Sequence, residues 1–596
     1  MSNKSRKLSK NENTSSKKSK SKQVVSRVVI EGEGRDEWDK RYLKFSVVGS
    51  DRDIPPFSIE HFFSDSKPVF AALANAGWNG FTTKARNELL EKLQKRKPEP
   101  PSFKVVTRLG WNSGAYVFPD EIVGKPKTPL QKAFGRLDHA MLDKYRVNGT
   151  LEQWQDQIAS KCVGNSRLMF AVSLAFTGPI LRFVTGPKSG GFQPWGPAET
   201  GKTTGAMVAG SVWGCHRGEG RREKGFAESW NSTAGKIEVT ALAHNDSLLI
   251  LDETKRAGKD DRERAQVVTS VAFGLAEFTE KERLTNPDSV RSWRCYFLST
   301  SNLSLGQLGN RGHVVIDEAE RGRLADIPLP NDGHGIYEEL HGFVDGEALS
   351  DALQHRSRKY YGVPARKFVR KLVSERETDP QGLKKFLKAE RSHYLKKLKA
   401  EVEADGLRPL NRNSGRYATV FAAGSLAIKF GILAWSRKKL LKAILSCQLD
   451  QLRRADDDDE GADPSVESLR AKLVRYLDDH RSKFMYLNKK RPQLGSHKLG
   501  SVAGYRAKIK GDKWYYLTAD QLTAIIGKGP NAGTLKHTLV NEGLMDHTKK
   551  KFVVQRKIFV GGKGNKNYAW VHAIKADIRK KKDSGTAEPM VHDGKE

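Results

Sequence analysis

Residues 196–204 read GPAETGKTT, which places Gly196, Gly201, Lys202 and Thr203 at the spacing G-x-x-x-x-G-K-[ST]. That spacing suits phosphate binding. A glycine-rich turn bends so that several backbone N–H groups face phosphate oxygens, and a glycine lets the chain pass close to them. Lys202 then reaches the β- and γ-phosphates, and the Thr203 hydroxyl ligates Mg²⁺. The pattern predicts that Gly196, Pro197, Ala198, Glu199, Thr200, Gly201, Lys202, Thr203 and Thr204 hold the triphosphate of ATP together with Mg²⁺. A helix should open here and add its N-terminal dipole. A match of this kind arises by chance in long chains, so its context matters. Here SLLILDE follows at 247–253. Four apolar residues in a row predict a fully buried strand, and Asp252 and Glu253 stand at its carboxyl end, where open α/β sheets bind ligands. Asp252 is expected to hold Mg²⁺ directly or through water, and Glu253 to orient or deprotonate the attacking water.

A third apolar run, WRCYFLSTSN (293–302), closes on Ser299, Thr300, Ser301 and Asn302. A polar residue at the end of a strand beside the carboxylates would contact the γ-phosphate or the water. Asn302 is the first choice and Ser301 the second; a plain polar cap of the strand is the alternative. Arg321 and Arg323, in DEAERGRLADIPLP (317–330), are candidates for an arginine supplied across a subunit boundary. Surface pairing with Glu318 or Glu320 is the competing reading. Arg416, at the head of an amphipathic segment, is a further candidate for reaching the phosphates.

These groups act only if the fold carries them to one place. Residues 151–335 alternate helical patterns with short apolar strands, which predicts a parallel sheet with crossover helices. Before this core, residues 29–150 are expected to form an α+β domain. Its strands are read at RVVI (27–30), YLKFSVV (42–48), FKVVTRLGW (103–111) and AYVFP (115–119), with a helix at 81–96. Residues 336–450 are expected to be helical, 451–465 an exposed acidic linker, 466–575 a further domain, and 576–596 a polar tail. The expected fold class is therefore α/β.

Lys and Arg number 104 against 70 Asp and Glu, a formal net charge of +34. So one-sided an excess attracts polyanions, which makes DNA or RNA the expected partner ahead of an anionic membrane surface. Residues 1–28 are rich in Lys and Ser and too poor in apolar surface to fold alone, so a disordered basic tail is expected. The first 27 residues carry nine Lys or Arg and no apolar stretch of the secretory type. Residues 167–184 form the one membrane-like run. Arg167, Pro179 and Arg182 leave its apolar core too short to span, so a buried helix pair or helix–turn is expected. Cys162, Cys215, Cys295 and Cys447 lack zinc-ligand spacing and read as small buried hydrophobes in a reducing, cytoplasmic compartment.

Near the carboxyl end, LTADQLTAIIG (517–527) predicts a short helix capped by Thr518, and NAGTLKHTLVNEGLM (531–545) a second helix ending at Gly543. FVVQRKIFV and NYAWVHA flank GGKGNK as a β-hairpin. Helix, helix, hairpin is the outline of a winged helix. Its second helix and Lys551, Arg556, Lys557, Lys563 and Lys566 would face a DNA groove, or the module would serve protein packing. Trp514, Tyr515, Tyr516, Tyr568 and Trp570 are expected in its core.

Between about residues 40 and 445 the chain resembles the domain of unknown function 927 family, helicase-like ATPases carried by phages, plasmids and integrating elements. RLGWNSGAYVFPDEIVG (108–124), the stretch 151–181, GKTTGAMVAGSVWG (201–214), the run 228–253, LADIPLP, GIYEELHGF (335–343) and residues 360–372 carry the resemblance, in that order. It implies an oligomeric ring ATPase of the AAA+ type related to replicative helicases, with Lys202, Thr203, Asp252 and Glu253 at the nucleotide. Trp230 and Thr233 match a motif between the two strands. The chain departs from the family in having STSN at 299–302, where relatives have STGE.

Three functions then compete. The first is an ATP-driven DNA helicase or translocase serving a mobile element, with the basic segments 216–225 and 254–264 lining a pore. The second is a DNA-binding ATPase switch or loader, in replication initiation or phage defence. The third is a DNA-binding protein with a decayed nucleotide site, which the intact Lys202, Asp252 and Glu253 argue against.

Overall fold

The computed structural model describes residues 27–80, 82–134, 143–186, 189–215, 225–277, 292–330, 333–407, 412–458, 466–487, 503–509, 511–527, 529–548, 551–557 and 568–579. Most of the basic tail, the pore candidates 216–224, residues 459–465 of the acidic run, the hairpin tip with Lys563 and Lys566, and residues 580–596 lie outside that set. The chain divides into two compact units.

The first unit takes Met1–Arg108, Asn112–Ala115 and Lys125–Asp138. Its sheet contains β1 (Val28–Arg35), β2 (Arg41–Val47), β3 (Phe57–Ser58), β4 (Phe103–Val106) and β5 (Leu130–Lys132), in the order β3-β2-β1-β4-β5. Two helices, α1 (Lys67–Asn75) and α2 (Thr83–Lys95), bury Val69, Leu73 and Leu89 in the cluster that also holds Leu43, Phe45 and Val47 of β2. Thr82 caps α2 by accepting from Ala85 N at 3.2 Å. Across β1 and β2, Arg41 grips the buried Glu33 with two bonds of 2.6 and 2.8 Å.

The expected α+β domain at 29–150 is not a contiguous unit. Residues 109–111, 116–124 and those from 139 onward belong to the second unit. The cause is aromatic burial. Trp111 Nε1 donates to Pro179 O (2.8 Å), Tyr116 OH to Asp246 O (2.7 Å) and Tyr145 OH to Ala243 O (2.6 Å). The broken strand reading at 103–111 has the same origin: β4 stops at Val106, and the chain turns to deliver Trp111.

The second unit is built on five short parallel strands: β6 (Gly190–Trp195), β7 (Glu228–Ser229), β8 (Leu248–Asp252), β9 (Tyr296–Ser299) and β10 (Leu324–Pro328). Their order is β7-β8-β9-β6-β10. Every residue of β8 and β9 is buried, as apolar runs in a sheet covered on both faces must be. Between the strands run α4 (Lys202–Gly210), α5 (Ala234–Ala243), α6 (Asp261–Ala276) and α7 (Leu305–Gly312). Before β6, the apolar run at 167–184 begins as α3 (Ser166–Ala175), buried along its whole length, and turns after Ala175. Arg167 sits inside it with its charge satisfied, donating to Pro328 O (3.0 and 2.7 Å) and to Asp450 Oδ2 (2.7 Å). No helix among the described residues is long and apolar enough to cross a membrane.

The helical region follows: α8 (Gly346–Lys359), α9 (Val363–Thr378), α10 (Pro380–Asp405), α11 (Arg412–Lys429) and α12 (Arg437–Asp458). The acidic run expected to be a linker from 451 is helical as far as Asp458, because α12 continues through it; Arg453 pairs there with Asp450 (2.9 Å) and Asp405 (2.7 Å).

The elements that follow include α13 (Val466–Asp479), β11 (Tyr505–Ile509), β12 (Asp512–Leu517), α14 (Ala519–Ile526), α15 (Pro530–Asn541), β13 (Met545–Asp546), β14 (Val554–Lys557) and β15 (Tyr568–Lys575). Thr518 and Gln521 form a reciprocal cap at the start of α14. Helix α15 ends at Asn541, two residues before Gly543, whose φ of +68° turns the chain away. β15 pairs antiparallel with β12, β13 and β14. Tyr515 and Tyr516 are buried, but Trp570 is 55% exposed, against the expectation of a core position.

His244, between α5 and β8, is fully buried against Phe226 and Tyr145, and its Nδ1–H donates to Leu248 O at 2.8 Å. Burial, with Lys144 nearby, lowers its pKa to about 3. The unfolded chain protonates this ring near pH 6.5 and the folded chain does not. Stability is therefore full above about pH 6.5 and falls as the pH drops from there toward 3. Urea unfolding midpoints measured between pH 7.5 and 5 should decline, and His244→Leu should flatten that decline.

Candidate nucleotide site

The glycine-rich loop leaves β6 and enters α4. Gly201 has a φ of +83°, and a Cβ there would stand 2.7 Å from Ile336 Cγ2. Both its backbone conformation and the approach of the later chain demand glycine. Glu199 takes a left-handed φ of +61° without that freedom. Lys202 is buried, and its ammonium donates to Gly196 O (2.9 Å), Pro197 O and Thr200 Oγ1 (3.2 Å), closing the loop on itself. Burial lowers its pKa to about 8, with the Asp252 carboxylate acting the other way.

Two hydroxyls converge on Asp252 Oδ1, Thr300 Oγ1 at 2.7 Å and Thr203 Oγ1 at 3.3 Å. Thr300 Oγ1 also accepts from Glu253 N at 2.9 Å. A carboxylate and a hydroxyl from Asp252 and Thr203 are hard oxygen donors, a set that fits Mg²⁺ sharing phosphate oxygens and water. Glu253 adopts φ +66°, and its Oε2 meets Arg256 Nε at 2.6 Å near the surface. Ser301 fastens the three strand ends: its N donates to Pro194 O (3.2 Å), its O accepts from Gly196 N (3.3 Å), and its Oγ accepts from Thr254 Oγ1 (2.8 Å).

A cavity of about 610 Å³ opens over these groups. Residues 198–204, Glu253, Thr300, Ser301 and Asn302 line it, with Asn302 exposed at its edge; Asp252 is buried beneath, and Gly196 and Pro197 stand behind Lys202. The sequence-derived residues 196–204, 252, 253 and 302 thus come together. The arginines do not join them. Arg323 lies over the Phe273 ring (4.0 Å) and pairs with Glu277 (3.1 Å), while its carbonyl accepts from Gly191 N at the opposite, amino-terminal edge of the sheet. Arg321 ends the short helix Glu318–Arg321, and its guanidinium lies beside Gly306 in the first turn of α7. Arg416 is at the amino-terminal edge with Arg323, donating to Arg323 O (2.8 Å) and Gly322 O (2.5 Å). The suggestion that it reaches the phosphates of its own loop is overturned by the sheet standing between them.

Sequence reasoning missed two features. Four polar residues end β9, and nothing in their types singled out Thr300 as the one that holds both acidic positions. The far wall of the cavity comes from 334–337 and the first turns of α8, seated by Ile336 N→Thr200 O (2.8 Å) and Gln354 Nε2→Thr204 Oγ1 (3.1 Å). Trp230 and Thr233, without a role from sequence, acquire structural ones. Thr233 caps α5. Trp230 Nε1 donates to Ser299 Oγ (3.1 Å), which donates to Gln193 Oε1 (3.0 Å), while Gln193 Nε2 donates to Asp326 Oδ1 (2.9 Å). This buried chain crosses the sheet just behind the site.

The fold and the site define a mixed α/β protein whose polar groups gather at the carboxyl ends of a parallel sheet. Residues 4–294 match the family model described as Domain of unknown function (DUF927), a little under half of the chain. The match stops before β9, so LADIPLP, GIYEELHGF and 360–372 lie beyond it. Among solved structures, "SCCmec type IV Cch - active helicase" aligns with 93% of this chain and 95% of that one at 14% identity and a TM-score of 0.53, a likeness of fold. "The A form apo structure of NrS-1 C terminal region-CTR" aligns with 67% and 87% at 12% identity, with a TM-score of 0.24 that is too low to bear on the fold. No curated protein matches.

Thr300→Val keeps the volume but removes the bond to Asp252 and leaves Glu253 N without its acceptor, a loss of about 1–3 kcal/mol at a buried group. On the nucleotide reading of this site, turnover of Mg·ATP should fall at least about tenfold, with Mg²⁺-free ATP binding within about twofold of the parent. Steady-state kinetics beside a fluorescence titration checks both; unchanged turnover would remove Thr300 from the site.

Proposed function

We propose that this chain is an ATP-dependent DNA helicase or translocase that serves replication or maintenance of a mobile genetic element. The observation that carries the proposal is the convergence of Lys202, Thr203, Asp252 and Glu253 at the carboxyl ends of β6 and β8, on either side of β9, beside a cavity large enough for a nucleotide. In this reading residues 151–335 are a P-loop core of the AAA+ type and residues 466–575 a winged helix. The fold likeness to the SCCmec type IV Cch helicase supports it, as does the +34 net charge.

Lys202 would exchange its carbonyl partners for phosphate oxygens, and Thr203 and Asp252 would hold Mg²⁺. That ion, when bound, would neutralise charge gathering on the phosphates. Glu253, once apart from Arg256, would orient the attacking water, and Asn302 at the cavity edge would contact the γ-phosphate or that water. Arg323 is held at the opposite edge from its own cavity, and Arg321 does not line that cavity. An arginine finger from either residue would act in the site of a neighbouring copy, as an oligomeric ring would provide. Pore contacts would come from the basic segment 254–264. In the winged helix, α15, Lys551 and the exposed Trp570 would face DNA.

One observation favours the second reading, a DNA-binding ATPase switch or loader. The Glu253 carboxylate is engaged by Arg256, so hydrolysis that waits for its release would time an assembly step. Steady-state ATP hydrolysis with and without single-stranded DNA, beside Lys202→Ala, tests the proposal. DNA should stimulate turnover, and the substitution should abolish it. Forked-substrate unwinding then distinguishes a motor from a switch. Turnover no greater than that of Lys202→Ala, in folded protein, would refute both readings.

A further inference from the structure

The cavity has two chemically different ends. One is the phosphate loop with Lys202. The other is a single face of α8, where Glu347 and Asp351 stand one turn apart with Ser350 and Gln354 beside them. The opposite face of the helix buries Leu349 and Leu353, which fixes its rotation. Its distance from the loop is fixed as well. Gln354 Nε2 donates to Thr204 Oγ1 (3.1 Å), Tyr337 OH and Ser350 Oγ stand 2.6 Å apart, and Ile336 N donates to Thr200 O (2.8 Å). A carboxylate at this wall accepts hydrogen bonds and repels phosphate. The wall therefore selects a neutral, donor-rich part of a ligand whose anionic part lies at Lys202. In a nucleoside triphosphate the groups of that kind nearest the phosphates are the sugar hydroxyls.

We propose that this wall is a ribose subsite, in which Asp351, with Glu347 a turn before it, accepts hydrogen bonds from the sugar hydroxyls of the nucleotide. The inference rests on the nucleotide reading of the loop and adds a specificity that the loop lacks, since the phosphates alone do not distinguish a ribonucleotide from its dideoxy form. A polar site built for a hydroxyl rejects the analogue without it, because the site's own groups are then left unpaired.

Equilibrium titrations of the full chain with ATP, 2′,3′-dideoxy-ATP and inorganic tripolyphosphate test this. The parent protein should bind ATP about tenfold more tightly than dideoxy-ATP. Asp351→Ala, at an exposed position that leaves the core intact, should weaken ATP by that factor and leave dideoxy-ATP and tripolyphosphate unchanged. Glu347→Ala should act in the same sense to a smaller extent. ATP binding unaffected by Asp351→Ala, or equal weakening of all three ligands, would overturn the subsite while leaving the loop reading intact. Failure of the parent to bind either ATP or tripolyphosphate more tightly than Lys202→Ala would overturn the loop reading, and the subsite with it.

Discussion

The arrangement of the second unit depends on β9 lying between β6 and β8. The parallel register pairs Leu251 with Ser299 and Leu298 with Phe192. With that register, the residue after Ser299 arrives beside Asp252, and the next one beside the base of the glycine-rich loop. Thr300 and Ser301 therefore stitch together two segments that never pair as neighbouring strands. Their hydroxyls are nearly solvent-free, where a hydrogen bond is stronger and an unmade one costlier. Slipping β9 by one residue would turn Thr300 to the other face and leave the carboxylate without its partner.

What the sequence made legible follows from how local each signal is. The loop at 196–204 was readable because glycine, lysine and threonine at fixed spacing describe one turn. β8 was readable because an unbroken apolar run must be buried on both faces, and two carboxylates directly after it can only stand at the strand's end. The end of β9 was harder: Ser299, Thr300, Ser301 and Asn302 have similar hydrogen-bonding capacity, and only the register with β8 distinguishes them. The far wall of the cavity was invisible for a different reason. Residues 334–354 meet the loop through packing across more than a hundred residues of chain, which no periodicity encodes. The acidic run misled because α12, tied by Arg453 to Asp450 on the same helix and to Asp405 of α10, runs on into it, so a charge pattern typical of linkers became the end of a helix.

Part of the cationic excess is spent internally. Arg167 joins α3 to β10 and α12, Arg366 reaches Asp120, Glu121 and Tyr145 O, and Arg416 clamps the chain just before β10. A planar guanidinium can satisfy several carbonyls and a carboxylate at once, which makes it a suitable tie inside a helical layer. The same residues show why a segment interrupted by arginine, such as 167–184, is core and not membrane.

Glu253 occupies a left-handed backbone position that costs an ordinary side chain about 1–2 kcal/mol relative to glycine. The fold therefore has a standing preference, at this one position, for the residue that would carry no carboxylate. Drift toward thermal robustness and retention of an acid here are opposed pressures. On the hydrolytic role proposed for Glu253, a lineage released from that need would be free to relax this turn first, leaving a better-folded but chemically silent descendant.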